Sequence, residues 1–105
     1  MISVIIPTYN PSIKRLNQTL DGLKQQSLNS RYWESIIIDN NSNNGFNKNL
    51  NLSELSNAKI IFKPKQGLTF ARLKGIAEAQ NDIIIMVDDD NILDSHYLEK
   101  IKYIY

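Results

Sequence analysis

Three carboxylates stand in a row at Asp88-Asp89-Asp90, directly after the apolar run Ile83-Ile84-Ile85-Met86-Val87. Adjacent like charges repel unless something positive answers them. A hard divalent cation, Mn²⁺ or Mg²⁺, is the simplest answer, because both favour carboxylate oxygen. The same residues also read as a solvated acidic turn ahead of a helix, and the triplet alone does not choose between the two. Two other apolar runs end in polar groups: Pro7-Thr8-Tyr9-Asn10 and Asp39-Asn40-Asn41-Ser42. An acid after a second strand is how nucleotide-binding sheets often hold a ribose or base edge. Tyr9 offers a ring face to a base, and acids with a metal neutralise a diphosphate. Each has a plainer reading: Asp39 opens an Asx-turn, Tyr9 packs its loop, and Arg72, Lys63 and Lys65 are solvated charges. No Gly-x-Gly-x-x-Gly or Walker A loop is present, so a diphosphate here has no glycine-rich cradle, which makes a metal more necessary.

The elements that must position these groups follow from the hydrophobic pattern. Ile2-Ser3-Val4-Ile5-Ile6 reads as a strand ended by Pro7, because proline cannot continue a central ladder. Ile13, Leu16, Leu20 and Leu23 recur at helical spacing. A second strand covers 34–38 and leads to Asp39, and the asparagine-rich stretch through Asn51 reads as a mobile surface loop with one helical turn at 52–55. Ala58 to Phe62 is a third strand. A helix spans 67–79, with Leu68, Ala71, Gly75 and Ala79 as a stripe for close packing on a sheet. The acidic strand follows, read as buried on both faces. Asp94 or Ser95 caps a last helix with Leu98, Ile101 and Ile104 or Tyr105 inward. Strands alternating with helices indicate an α/β unit with a mainly parallel sheet of about four strands. Ligands of such sheets bind beyond the C-terminal strand ends, so the three polar ends are expected on one edge.

Composition narrows the function. At 105 residues with a net charge of +1, this is one small domain or part of one, without the basic surface that nucleic-acid binding needs. It has no cysteine, which excludes disulfide scaffolds, zinc-thiolate sites and cysteine nucleophiles. The single histidine, His96, argues against a His-rich metal site, and no Gly-x-Ser-x-Gly elbow is present. An EF-hand reading places Ile92 and Leu93 where an oxygen ligand and a glycine are required. A phosphotransfer receiver would carry its acids after the first strand. No signal peptide or membrane-spanning run is visible, so a cytoplasmic location is expected, with any attachment to the inner face of a membrane carried by parts outside this chain.

Taken together, Ile2 to Asn10, Ile36 to Ser42, Gly67 to Ile76 and Val87 to Asn91 resemble, in order and spacing, the family 2 glycosyltransferases of the GT-A fold. The resemblance implies a three-layer Rossmann-like half-domain, with residues 1–105 as the nucleotide-sugar-binding part of a longer, C-terminally truncated domain. It implies that Pro7, Thr8 and Tyr9 border base and ribose and that Asp39 binds the base, most often uracil. Arg72 would lie near the diphosphate or brace the acids. Asp88 and Asp90 would be the outer members of an Asp-x-Asp motif, with Asp89 beside them on the donor. One of the acids faces ribose or sugar; the other ligates Mn²⁺ or Mg²⁺, Asp90 and Asp88 both being candidates. The implied activity is inverting, metal-dependent transfer from a UDP-sugar to an acceptor the sequence does not identify, with the catalytic base beyond Tyr105. Leu73 departs from the asparagine that many members carry. The alternatives are a nucleoside-diphosphate-binding module without transfer activity, or a fragment that self-associates as a homo-oligomer.

Overall fold

A computed structural model describes residues 1–53, 55 and 57–104. Four strands, β1 (Ile2–Thr8), β2 (Trp33–Asp39), β3 (Ala58–Phe62) and β4 (Ile83–Met86), form one sheet in the order β3-β2-β1-β4. Every pairing is parallel, with Ile5 opposite Ile36 and Met86, and Thr8 opposite Asp39. The helices are α1 (Ile13–Lys24), α2 (Leu68–Glu78) and α3 (Tyr97–Ile104).

Period-two alternation sorts the strand residues into two cores. Ile2, Val4, Ile6, Trp33 and Ile37 pack with Leu16, Leu20 and Leu23 of α1 and Leu98 of α3. Ile5, Ile36 and Ile38 pack with Ala71 of α2. The layers are therefore α1 with α3, the sheet, and α2. The second layer contact is close. A Cβ on Gly75 would lie 2.3 Å from Ile5 Cγ2, so only glycine lets α2 approach β1 this far. At the N-terminal end of the sheet, buried Glu34 accepts from the Ser3 hydroxyl at 2.6 Å and the Gln80 amide at 2.7 Å, tying β1, β2 and the start of β4 together.

Several local expectations are corrected. β1 runs through Pro7 to Thr8. Ile5 O accepts from Val87 N, so Ile5, and by alternation Pro7, faces β4. The ladder with β4 ends at Met86, and the proline's missing N–H falls where no partner is needed. Against the expectation that the acidic strand is buried on both faces, within the described residues β4 pairs with β1 alone and is half-buried, with Met86 exposed. The central, fully buried strands are β1 and β2. The asparagine-rich stretch is not a loose loop. Asn10 Oδ1 accepts from the Asn43 and Asn44 amides, Asn44 Oδ1 from the Phe46 amide, and Phe46 is buried at the start of a 3-10 turn, Phe46–Asn49. Asparagine side chains here replace the backbone partners that the irregular chain lacks. The turn at 52–55 is closed by Leu55 N donating to Leu52 O, with Glu54 outside the described residues. In α2, Ala71 and Gly75 face the sheet but Leu68 is 53 % exposed. In α3, Leu98 is buried, Ile104 is 71 % exposed, and Tyr105 lies outside the described residues.

Candidate functional site

The parallel sheet brings its polar strand ends to one edge, and a cleft of about 510 Å³ opens there. It is lined by residues from three strand ends and from the N-terminal end of α2. Pro7, Thr8 and Tyr9 come from β1, Asn40 from β2, Gln66 to Leu68 and Ala71 from the approach to α2 and its first turns, and Asp88, Asp89 and Asp90 from β4.

The acidic triplet is fixed at its middle. The Thr8 hydroxyl donates to Asp89 Oδ2 at 2.5 Å, and the Thr19 hydroxyl, on α1, donates to the Asp89 backbone carbonyl at 3.2 Å. The chain then turns, with Asn91 N donating to Asp88 O. Asp88 and Asp90 are exposed on the cleft, and their carboxylates make no hydrogen bond or ion pair among the described residues. A pair of carboxylates without protein partners suits a hard cation in chemistry. No three His, Cys, Asp or Glu side chains among the described residues converge to hold a metal alone. A cation here needs oxygen from a ligand and from water, which is the usual way a metal sits on a diphosphate.

Of the residues singled out from sequence, Pro7, Thr8, Tyr9, Asp88, Asp89 and Asp90 meet in this cleft. Asp39 and Arg72 are not in its lining. Asp39 Oδ1 accepts from the Ser42 amide, three residues on, at 2.9 Å, while Arg72 is exposed on α2. Lys65 lies over the Phe70 ring, 4.2 Å from its centroid. Sequence reasoning missed Asn40 as a cleft residue, because its position in an asparagine run reads as turn chemistry. The signal available was its place next to Asp39 at a strand end, where one of two neighbours must point inward.

His96 does not form a nucleophilic triad. Ser27 Oγ and Glu99 Oε2 both lie at its Nδ1, at 3.0 and 3.5 Å, whereas a triad needs nucleophile and carboxylate on opposite ring nitrogens.

The pattern described as glycosyl transferase family 2 matches residues 3–102. A dolichol-phosphate mannosyltransferase of Pyrococcus furiosus is 33% identical over 97 residues, covering 85% of this chain and 25% of that protein. The poly(ribitol-phosphate) beta-N-acetylglucosaminyltransferase TarP of Staphylococcus aureus is 28% identical over 102 residues, covering 93% of this chain and 31% of TarP. Among solved structures, S. aureus TarS 1-349 in complex with UDP superposes with a TM-score of 0.80 at 22% identity, over 97% of this chain and 31% of that one. The mannosyltransferase PcManGT from Pyrobaculum calidifontis, in complex with GDP-Man and Mn²⁺, gives 0.76 at 21% identity, over 85% and 27%. The chain thus spans between a quarter and a third of these proteins. No described helix is long and apolar enough to cross a membrane.

Proposed function

The chain belongs to glycosyltransferase family 2, and from that premise we propose that it binds the donor for an inverting, metal-dependent transfer of sugar from a nucleoside diphosphate, UDP in the first instance, to an acceptor hydroxyl. The observation that carries this reading is the cleft at the C-terminal strand ends, where two unpartnered carboxylates stand across from an aromatic residue and a backbone wall. Asp88 and Asp90 would hold Mn²⁺ or Mg²⁺ together with diphosphate oxygens. When bound, the cation supplies positive charge to a leaving diphosphate. Thr8 keeps Asp89 turned toward β1, which orders the acids on either side. Pro7, Thr8 and Tyr9 border ribose and base, and the Asp39 oxygen not held by Ser42 is available to a base edge. Arg72 answers diphosphate charge from the flank. The UDP complex of one structural neighbour and the GDP-Man complex of another support a nucleoside diphosphate or its sugar as ligand.

A second reading concerns residues 1–105 by themselves. Apart from the acids assigned to the metal and donor, the cleft lining among the described residues offers no carboxylate or histidine as a general base. This part of the protein then binds donor and leaves proton removal to other residues. Thermal unfolding with UDP, GDP and ADP, each with and without Mn²⁺, separates the readings of the ligand. A stabilisation by UDP that needs the metal is expected; indifference to all three nucleotides would refute the donor site.

A further inference from the structure

Asn40 is 5 % exposed, yet it lines the cleft. Its side-chain amide is fully engaged inside the protein. The two N–H groups donate to Lys63 O at 3.1 Å and Lys65 O at 2.8 Å, and the carbonyl accepts from Gly67 N at 2.9 Å. Its own backbone N–H donates to Thr8 O at 2.9 Å. One side chain thus joins the β1–β2 edge to three backbone groups of the 63–67 segment, on residues 63, 65 and 67. The same segment is also held by Lys63 N donating to Asp39 O, Asn41 Nδ2 to Pro64 O and Gln66 Nε2 to Asn41 O, but only Asn40 reaches both its start at Lys63 and its end at Gly67. The segment leaves β3, passes Pro64, and enters α2 at Gly67 with φ 140 and ψ 133, a conformation for glycine. A Cβ on Gly67 would also lie 2.8 Å from the Phe70 ring. Gln66, Gly67 and Leu68 form a wall of the cleft.

Sheet order says which end of a ligand this wall meets. Asn40 follows β2 and the acids follow β4, with β1 between, so the two lie about two strand spacings, roughly 10 Å, apart. Resting on the donor-site reading above, a diphosphate at Asp88 and Asp90 places the nucleoside toward Asn40. We propose that Asn40 is a positioning residue for the nucleoside end of the cleft. It acts through the 63–67 wall and not by contact with the ligand, since its amide N–H groups and carbonyl are already committed.

The test uses two ligands that share the diphosphate end and differ at the other. UDP and inorganic pyrophosphate, each with Mn²⁺, are titrated calorimetrically into the wild-type chain and into Asn40→Ala, and Gly67 amide exchange is followed by NMR. UDP is expected to bind about tenfold more weakly to the variant while pyrophosphate stays within about twofold. The Gly67 amide exchanges faster, and β1 amides keep their protection. Should Asn40→Ala fail to fold, Asn40→Ser, small, polar and uncharged, loses the two-donor reach to Lys63 and Lys65 and is expected to give the same split. Unchanged UDP affinity, or UDP and pyrophosphate weakening together, overturns the proposal. A wild-type chain that binds neither UDP nor GDP overturns the donor-site reading and this proposal with it.

Discussion

The Thr8 hydroxyl donates to the Asp89 carboxylate across 81 residues of sequence, at 2.5 Å. This bond joins the first strand end to the last and makes the acidic triplet part of the sheet edge instead of a free turn. A hydrogen bond to a charged acceptor contributes about 1.5–3 kcal/mol when its partner is otherwise unmet. Thr8→Val keeps shape and removes only the donor. It is expected to cost about 1.5 kcal/mol in urea unfolding. In a double-mutant cycle with Asp89→Ala, a coupling of about 1 kcal/mol is expected; strict additivity would show that the bond contributes nothing.

Gly75 lets α2 lie against β1. Alanine raises helix propensity by about 1 kcal/mol, but its methyl would meet Ile5 at 2.3 Å. Overpacking of this kind costs about 1–3 kcal/mol beyond that gain. Gly75→Ala is therefore expected to be destabilised in denaturant titration, and a stabilised variant would mean that α2 can step back without loss.

Ser35 on β2 is fully buried and its hydroxyl has no hydrogen-bond partner among the described residues. A buried hydroxyl left unpaired costs free energy that a methyl does not. Ser35→Ala is expected to raise stability by about 1 kcal/mol and to leave nucleotide affinity as it was, since Ser35 lies well below the cleft. A lower midpoint in urea would count against the assignment.

Much of this architecture was legible in the residues. Short runs rich in isoleucine and valine placed all four strands, and helical spacing of Leu16, Leu20 and Leu23 placed α1. The acids and the Pro7-Thr8-Tyr9 end were expected on one edge because parallel strands leave no other arrangement. What sequence could not convey was lateral order. Ile83 to Met86 is as apolar as β1, and nothing in the run says that it stands outermost among the four described strands. Pro7 misled for a related reason: a proline is tolerated in a central strand once the neighbour on its side has ended. The asparagine stretch misled because composition reports turn-forming capacity and not which carbonyls and amides meet. Asn40 reads only as part of the polar end of β2 on the same account, and only tertiary contacts reveal its hold on Lys63, Lys65 and Gly67.

The central claim is that the acids at the end of β4 hold a nucleoside diphosphate through a divalent cation. Calorimetric titration of UDP into the chain, with Mn²⁺ and with EDTA, tests it most directly when repeated on Asp88→Asn and Asp90→Asn. Each substitution removes a charge and retains shape. The account predicts saturable binding that requires Mn²⁺ and that weakens by about tenfold or more in at least one variant, which corresponds to about 1.4 kcal/mol, with unfolding midpoints close to wild type. UDP binding of equal strength in EDTA, or in both variants, would contradict it.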